Sequence, residues 1–333
     1  MRVLQIANYR VGVGGISAQV ELFHNHLLAE GIDCKIFTTK GRFLQRVLSP
    51  ISLMFEGRNY DVFHIHACSY RGFYPAVVGI IIGKLLKKRI LLTYHGGDAA
   101  VFFEKQIRFV KRFLLKTDTN IVLSGFLAEI FNQYGIPFTV LPNILEYSPQ
   151  SFKFRSVIQP HFISIRSLMP NYNIGCILKA FQLVKDSLPE ATLTIVGDGV
   201  LREELEQYVV NNAIEDVFFT GRVSNSDIPS YLSQADIMLS SPKIDNMPVS
   251  VLEGFSAGLL VISSSVGGVP YMISDGETGL LFENDNHVML AEQMLFACSH
   301  PELVQEMINN AYKSLGKYRW QSIRTKYIAL CQG

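Results

Sequence analysis

The chain has 333 residues, of which 48% are hydrophobic and 18% charged, with 30 Lys and Arg against 29 Asp and Glu. The length argues for two domains over one, and the low charge excludes a disordered chain. A net charge of +1 excludes a protein that coats nucleic acid along its whole length.

The near-neutral total conceals an asymmetry. Residues 1–160 hold 19 Lys and Arg against 10 Asp and Glu, and the remainder hold 11 against 19. A basic half, suited to an anionic membrane surface, an anionic acceptor or nucleic acid, precedes an acidic half. The five cysteines are scattered without a CxxC pair, which argues against a zinc ribbon or redox motif and fits a reducing compartment. No signal-peptide pattern opens the chain, and the apolar run over 73–83 is too short to span a bilayer. These features predict a cytoplasmic protein, with a peripheral membrane contact as an open possibility.

The apolar run at 3–7 predicts a buried strand, followed by the loop Gly12-Val13-Gly14-Gly15 and a helix over 18–29 with Gly31 as its cap. Strands are predicted at 34–38, 62–66, 90–94, 120–124 and 138–141, with helices at 75–86 and 127–134. Residues 145–160 have no convincing period and include Pro149 and Pro160, so the interdomain linker is placed there. The pattern then restarts. Strands are expected at 161–165, 192–196, 217–220, 237–240, 260–263 and 279–282, and helices at 174–186, 201–211, 226–233 and 249–257. Helical patterns run from 288 to the end. Strands alternating with helices predict two α/β halves with parallel sheets, whose ligands bind at the carboxyl ends of strands. Two such sheets facing each other would enclose a deep interdomain cleft.

Several motifs fall at those strand ends. The loop around Gly14 and Gly15 suits backbone approach to a phosphate, a structural turn, or a dinucleotide site with Asp33 further on. His95, beside Gly96, Gly97 and Asp98, ends a strand and is available to a ligand. His64 and His66 share a strand face. With His95 they could be pictured as a three-His zinc site, but no Cys or carboxylate spacing supports one. Arg166 follows the first strand of the second half, where a guanidinium can clamp a diphosphate. Asp245 precedes a helix that carries Glu253, so two carboxylates can hold two sets of sugar hydroxyls. Ser264-Ser265-Val266-Gly267-Gly268-Val269-Pro270 can cradle a phosphate with backbone N–H groups. On 103–116, Phe103, Ile107, Val110 and Leu114 form a stripe beside Lys105, Arg108, Lys111, Arg112 and Lys116. That pattern is a basic amphipathic helix for an anionic bilayer, or a core helix with a solvated face. Lys84, Lys87, Lys88 and Arg89 add a second basic cluster.

The segment 241–258, then 264–270, then Asp275-Gly276-Glu277-Thr278-Gly279-Leu280-Leu281, resembles the nucleotide-sugar domain of family-4-type retaining glycosyltransferases of the GT-B fold (glycosyl transferases group 1). The resemblance covers nearly the whole chain and is most specific over 235–282. It implies two facing Rossmann-like domains: 1–150 for the acceptor and 151–314 for the nucleotide sugar, with a C-terminal helix over 315–333 packing back on the first.

By the same resemblance, Arg166 pairs the donor diphosphate, Gly221 and Val223 meet the base, and Glu253 the ribose hydroxyls. Asp245 holds the transferred sugar, and Met247, Pro248 and Val249 make backbone contacts. Gly197 lies in a loop matching the family's, and Gly267 and Gly268 lie near the phosphates. Gly14, Gly15 and His95 come from the basic half, with Gly15 and His95 completing the site on closure. His95 and Asp245 are the expected catalytic pair. The implied reaction moves a sugar, with retention and without a metal or other cofactor, from a UDP- or GDP-linked donor. The acceptor is a glycan or lipid-linked hydroxyl in bacterial surface polysaccharide or glycoconjugate synthesis, with no nucleic acid as partner.

Three positions depart from the family's pattern. Asp245 stands where Glu is usual, Asn171-Tyr172-Asn173 replaces a phosphate-binding Lys that Lys243 could replace in function, and Tyr271 replaces a frequent Glu. An epimerase or hydrolase of the same fold, a non-catalytic sugar-nucleotide binder, and an NAD oxidoreductase are the competing readings.

Overall fold

The computed structural model describes residues 1–11, 14–41, 43–147, 152–155 and 157–333, apart from the side chains of 43–47. The chain divides into two units, Met1–Ile144 with Lys317–Gly333, and Leu145–Gly316.

The first unit runs β1 (Arg2–Ala7), α1 (Gly15–Ala29), β2 (Asp33–Thr38), α2 (Phe43–Glu56), β3 (Val62–Ala67), α3 (Tyr74–Leu85), β4 (Arg89–Tyr94), α4 (Ala99–Leu114), β5 (Thr119–Val122), α5 (Gly125–Gln133) and β6 (Thr139–Val140). Its six strands form a parallel sheet in the order β2-β1-β3-β4-β5-β6. Every residue of β3 is buried, as expected of a parallel strand covered on both faces. One face carries Leu4, Ile6, Phe63, Ile65 and Leu92 against Val78, Phe102, Val110 and Phe131. The other carries Val3, Val62 and Leu91 against Phe23 and Leu27.

That second face is completed by the C-terminal helix, Trp320–Gln332, which follows from the other unit and is numbered α12 below. Its residues Trp320, Ile323, Tyr327 and Cys331 face the sheet at helical spacing. Trp320 Nε1 donates to Glu30 at 3.0 Å, and Arg89 Nε donates to the Leu330 carbonyl at 2.6 Å.

The second unit runs β7 (His161–Ile165), α6 (Ile174–Ser187), β8 (Thr192–Val196), α7 (Arg202–Asn211), β9 (Val217–Gly221), α8 (Ile228–Gln234), β10 (Ile237–Ser240), α9 (Val249–Ala257), β11 (Leu260–Ser264), β12 (Leu280–Phe282), α10 (His287–Ser299) and α11 (Pro301–Ser314). Its parallel sheet has the order β12-β11-β10-β7-β8-β9. The strand order therefore reverses between β7 and β10, which pair directly.

Two stretches differ from the sequence expectation. The helix α2 was not predicted, because it contains Pro50 and exposes Leu48, Ile51 and Phe55, which blurs its period. Part of the expected linker is fixed to the second unit. Arg155 is 3% exposed, and its guanidinium donates to Asp236 and to the carbonyls of Lys153, Ala235 and Ala257. Among the described residues, no helix is long and apolar enough to cross a membrane.

Candidate active site

In the second unit Arg166 leaves β7 and Asp245 follows β10, the two strands flanking the reversal in strand order. This is where a crevice opens in an α/β sheet. Arg166 Nη1 lies 3.1 Å from Asp245 Oδ2, and Nη2 reaches Ser240 Oγ at 3.5 Å. The guanidinium stacks over the Tyr172 ring at 5.1 Å, so the departure at 171–173 supplies a face for Arg166 in place of a second cation. Arg166 Nε is buried without a partner. A guanidinium with an unused donor is suited to an incoming anion.

Glu253 lies on α9, close enough to feel the Arg166 charge. Burial raises its carboxyl above the usual range, and the Arg166 charge pulls it back. Pro248 stands at the N-cap of α9 in an extended conformation, and no side chain caps the helix. Its positive end is therefore open to a phosphate. Met247, just before the helix, is buried, and Ser250 Oγ, in the first turn, is buried without a partner.

Two backbone approaches shape the site. Gly267 has φ +52, and a Cβ there would fall on the Asp245 carbonyl. The next amide, Gly268 N–H, donates to that same carbonyl at 2.9 Å. This amide is therefore spent on holding Asp245. Gly197 (φ +146) lies against the Arg166 backbone, where a Cβ would clash with the carbonyl. Its N–H donates to Gly221 O at 3.0 Å, tying together the ends of β7, β8 and β9, with Val223 just beyond. Lys243 is exposed, and its N–H donates to Asn171 O at 2.8 Å.

In the first unit, Gly14 (φ +82) caps α1, and added side chains at Gly14 or Gly15 would meet nothing within 4 Å. Gly12 and Val13, in the same predicted loop, lie outside the described residues. His95 follows β4, and its N–H donates to Ala67 O at 2.8 Å. Its Nε2 is 3.0 Å from His66 Nδ1, and His66 Nε2 is 3.1 Å from Gln5 Oε1. His64 is separately engaged, Nε2 with Thr93 Oγ1 at 2.8 Å and Nδ1 with the Tyr327 hydroxyl at 2.9 Å. Burial pushes His64 and His95 down to about 3 and His66 well below its ordinary value. Among the described residues, no group of three or more His, Cys, Asp or Glu is placed to hold a metal ion.

The helix α4 buries Phe103, Val110 and Leu114 in its own unit, with Ile107 packed against them. The predicted apolar stripe is therefore core. Lys105, Arg108 and Arg112 are exposed, together with Phe109 and Leu115, while Lys111 Nζ donates to the Tyr134 carbonyl at 2.7 Å.

Sequence reasoning did not single out Ser240, Tyr172, Gln5 or Tyr327. Tyr172 was noted only as a departure, and Gln5 only as a strand residue. The available signal was that a Gln in the middle of an apolar strand needs a buried partner.

The family description "Glycosyl transferases group 1" matches residues 150–314, and "Glycosyltransferase Family 4" matches residues 39–146. An uncharacterised glycosyltransferase of Methanocaldococcus jannaschii is 24% identical over 80% of this chain and 73% of its own. The N-acetyl-alpha-D-glucosaminyl L-malate synthase of Bacillus anthracis is 24% identical over 84% and 76%. The alpha-monoglucosyldiacylglycerol synthase of Streptococcus pneumoniae is 23% identical over 82% and 73%. Among solved structures, Anabaena HepE in complex with UDP-glucose superposes with a TM-score of 0.81 at 15% identity, covering 100% of this chain and 99% of that one. With two parallel six-stranded sheets of GT-B type and both family descriptions matched, the chain belongs to the family-4-type, group 1 glycosyltransferases.

Proposed function

We propose that this glycosyltransferase moves a hexosyl group, with retention, from a UDP- or GDP-linked sugar to a hydroxyl of a glycan or lipid-linked acceptor in surface polysaccharide or glycoconjugate synthesis. The observation that carries the reading is the Arg166–Asp245 pair, 3.1 Å apart, at the strand-order reversal, with Glu253 and the uncapped end of α9 beside it. In this scheme the bond between the anomeric carbon and the phosphate oxygen breaks. The acceptor oxygen bonds to the same face of that carbon, and its proton passes to the leaving phosphate. Arg166 and the α9 terminus stabilise the charge on the diphosphate. Asp245 holds a sugar hydroxyl, Glu253 the ribose hydroxyls, and Gly221 and Val223 border the base. Met247, Pro248 and Val249 line the sugar with backbone groups, Gly197 and Gly267 keep the backbone close, and Gly268 fixes Asp245. In the first unit, the resemblance assigns Gly14, Gly15 and His95 to substrate contact. No resident cofactor enters the scheme.

A sugar-nucleotide donor is supported by the UDP-glucose complex of the Anabaena neighbour, and a lipid acceptor by the name of the pneumococcal relative. Calorimetry against UDP-, GDP- and ADP-sugars tests the donor. Glu253→Ala is expected to weaken the true donor at least about tenfold, the loss of a charge-assisted hydrogen bond. Unchanged affinity would remove the basis of the assignment.

The lipid-linked alternative adds contact between the first unit and an anionic bilayer. The exposed Lys105, Arg108 and Arg112 of α4 alternate with exposed Phe109 and Leu115, complementary in charge to acidic headgroups. Salt-sensitive sedimentation with phosphatidylglycerol vesicles is expected, and Arg108→Glu with Arg112→Glu should abolish it. Equal binding by the double variant would place any membrane contact elsewhere.

A further inference from the structure

Three hydrogen bonds through the core of the first unit fix a buried amide and carry its orientation to His95. Gln5 is fully buried on β1. Its Nε2 lies 3.1 Å from the Val20 carbonyl, which can only accept. A flipped amide would set two acceptors against each other, so Nε2 faces Val20 and Oε1 faces His66. His66 Nε2, 3.1 Å from Oε1, must therefore carry a proton. His66 is 2% exposed, and burial keeps it neutral, so its Nδ1 holds a lone pair. His95 Nε2, 3.0 Å from that lone pair, must in turn be the donor. The Gln5 amide is also 3.4 Å from Cys34 Sγ, which leaves its orientation unchanged.

We propose that Gln5 and His66 are positioning residues that hold His95 in the Nε2–H tautomer, so that His95 offers Nδ1 as a hydrogen-bond acceptor to a hydroxyl of the substrate. His95 as a residue is partly exposed, whereas Gln5 and His66 are closed off. In this state His95 reads an O–H group and has no proton at Nδ1 to give to a phosphate. A histidine in the other tautomer would present a donor to the same hydroxyl and compete with its proton. His64 has its own partners, Thr93 and Tyr327, and does not enter the chain. The inference rests on the glycosyl-transfer reading for the identity of the hydroxyl, but the tautomer chain does not.

The test is NMR of the whole protein labelled with 15N-histidine, in which one-bond and two-bond couplings separate Nδ1–H from Nε2–H. His66 and His95 are both expected as Nε2–H. Gln5→Met keeps the buried volume and removes the acceptor. His66 can then donate from Nδ1, and His95 should move toward Nδ1–H. With this shift, kcat should fall about tenfold while the donor KM stays within about twofold. His66→Asn places an amide oxygen where Nδ1 stood and should retain both the His95 tautomer and most of kcat, whereas His66→Leu should lose both. The proposal is overturned if wild-type His95 is Nδ1–H, or if Gln5→Met leaves its tautomer unmoved. It is overturned equally if Asn and Leu at 66 behave alike in kcat. Should the expected tautomers be found with no sugar nucleotide turned over, the chain stands and the glycosyl-transfer reading fails.

Discussion

Acid is expected to weaken the first unit through the ring of His64. That ring is fully buried, and both of its nitrogens are engaged, one with Thr93 and one with Tyr327. Burial, with a smaller contribution from the His95 charge, lowers its pKa from 6.5 to about 3. The unfolded chain takes up a proton near 6.5, and the folded one refuses it until about 3. Between those values the unfolded state binds more protons, so stability is complete above pH 6.5 and declines as the pH falls. At pH 5 the unfolded imidazole is protonated and the folded one is not. The difference, about 1.4 kcal/mol per pH unit over about one and a half units, is about 2 kcal/mol from His64 alone. His66 shifts in the same direction.

The assay is urea unfolding at pH 7.5 and pH 5, followed by emission from Trp320. This is the single tryptophan of the chain, 5% exposed on α12, with its ring centroid 6.0 Å from that of Tyr327. Its signal therefore reports the unit that holds His64. In His64→Gln the loss of stability between the two pH values should shrink by about 2 kcal/mol, whatever the variant's stability at pH 7.5. Tyr327→Phe keeps the titrating ring. It should cost about 1 kcal/mol at both pH values while leaving the pH dependence in place. Equal pH dependence in wild type and His64→Gln would refute the reasoning, since it would mean that His64 does not resist protonation in the fold.

Two further outcomes concern the second unit. Asp236→Asn should destabilise it by about 3–5 kcal/mol in calorimetric unfolding, because the closed-in Arg155 guanidinium loses the carboxylate that sits 2.7 Å from its Nε; a change below about 1 kcal/mol would show that the surrounding carbonyls suffice. Gly267→Ala should lower donor affinity more than it lowers the melting temperature, because the added methyl displaces the Asp245 carbonyl from a loop already at φ +52. Donor calorimetry beside a thermal scan separates the two effects, and full affinity with full stability would mean the loop shifts freely.

The alternation of strands and helices was legible because parallel strands covered on both faces read as continuous apolar runs. The run at 62–66 lies within β3 (Val62–Ala67), and 161–165 is β7. Topology then prescribes where ligands gather, so motifs just after strands could be singled out before any side chain was placed. Arg166 and Asp245 were named from such positions, and the fold brings them to 3.1 Å. Segments whose role depends on one interaction were not legible. Residue Arg155 turns an aperiodic stretch into a fixed one, and no spacing announces that its partner is Asp236. The stripe on α4 was visible, but amphipathic spacing is the same for a helix on a bilayer and a helix on a sheet; only neighbours from other elements, Phe73, Tyr94 and Phe131, decide it. The chain from Gln5 to His95 depends on which residues of β1, β3 and β4 stand side by side. Strand register sets that, with Gln5 opposite His64 and His66 opposite Thr93. A local pattern can announce a strand end, but a hydrogen-bonded pair is decided across three strands, and so the strand-end positions of Arg166 and Asp245 were readable while the contact between His66 and His95 was not.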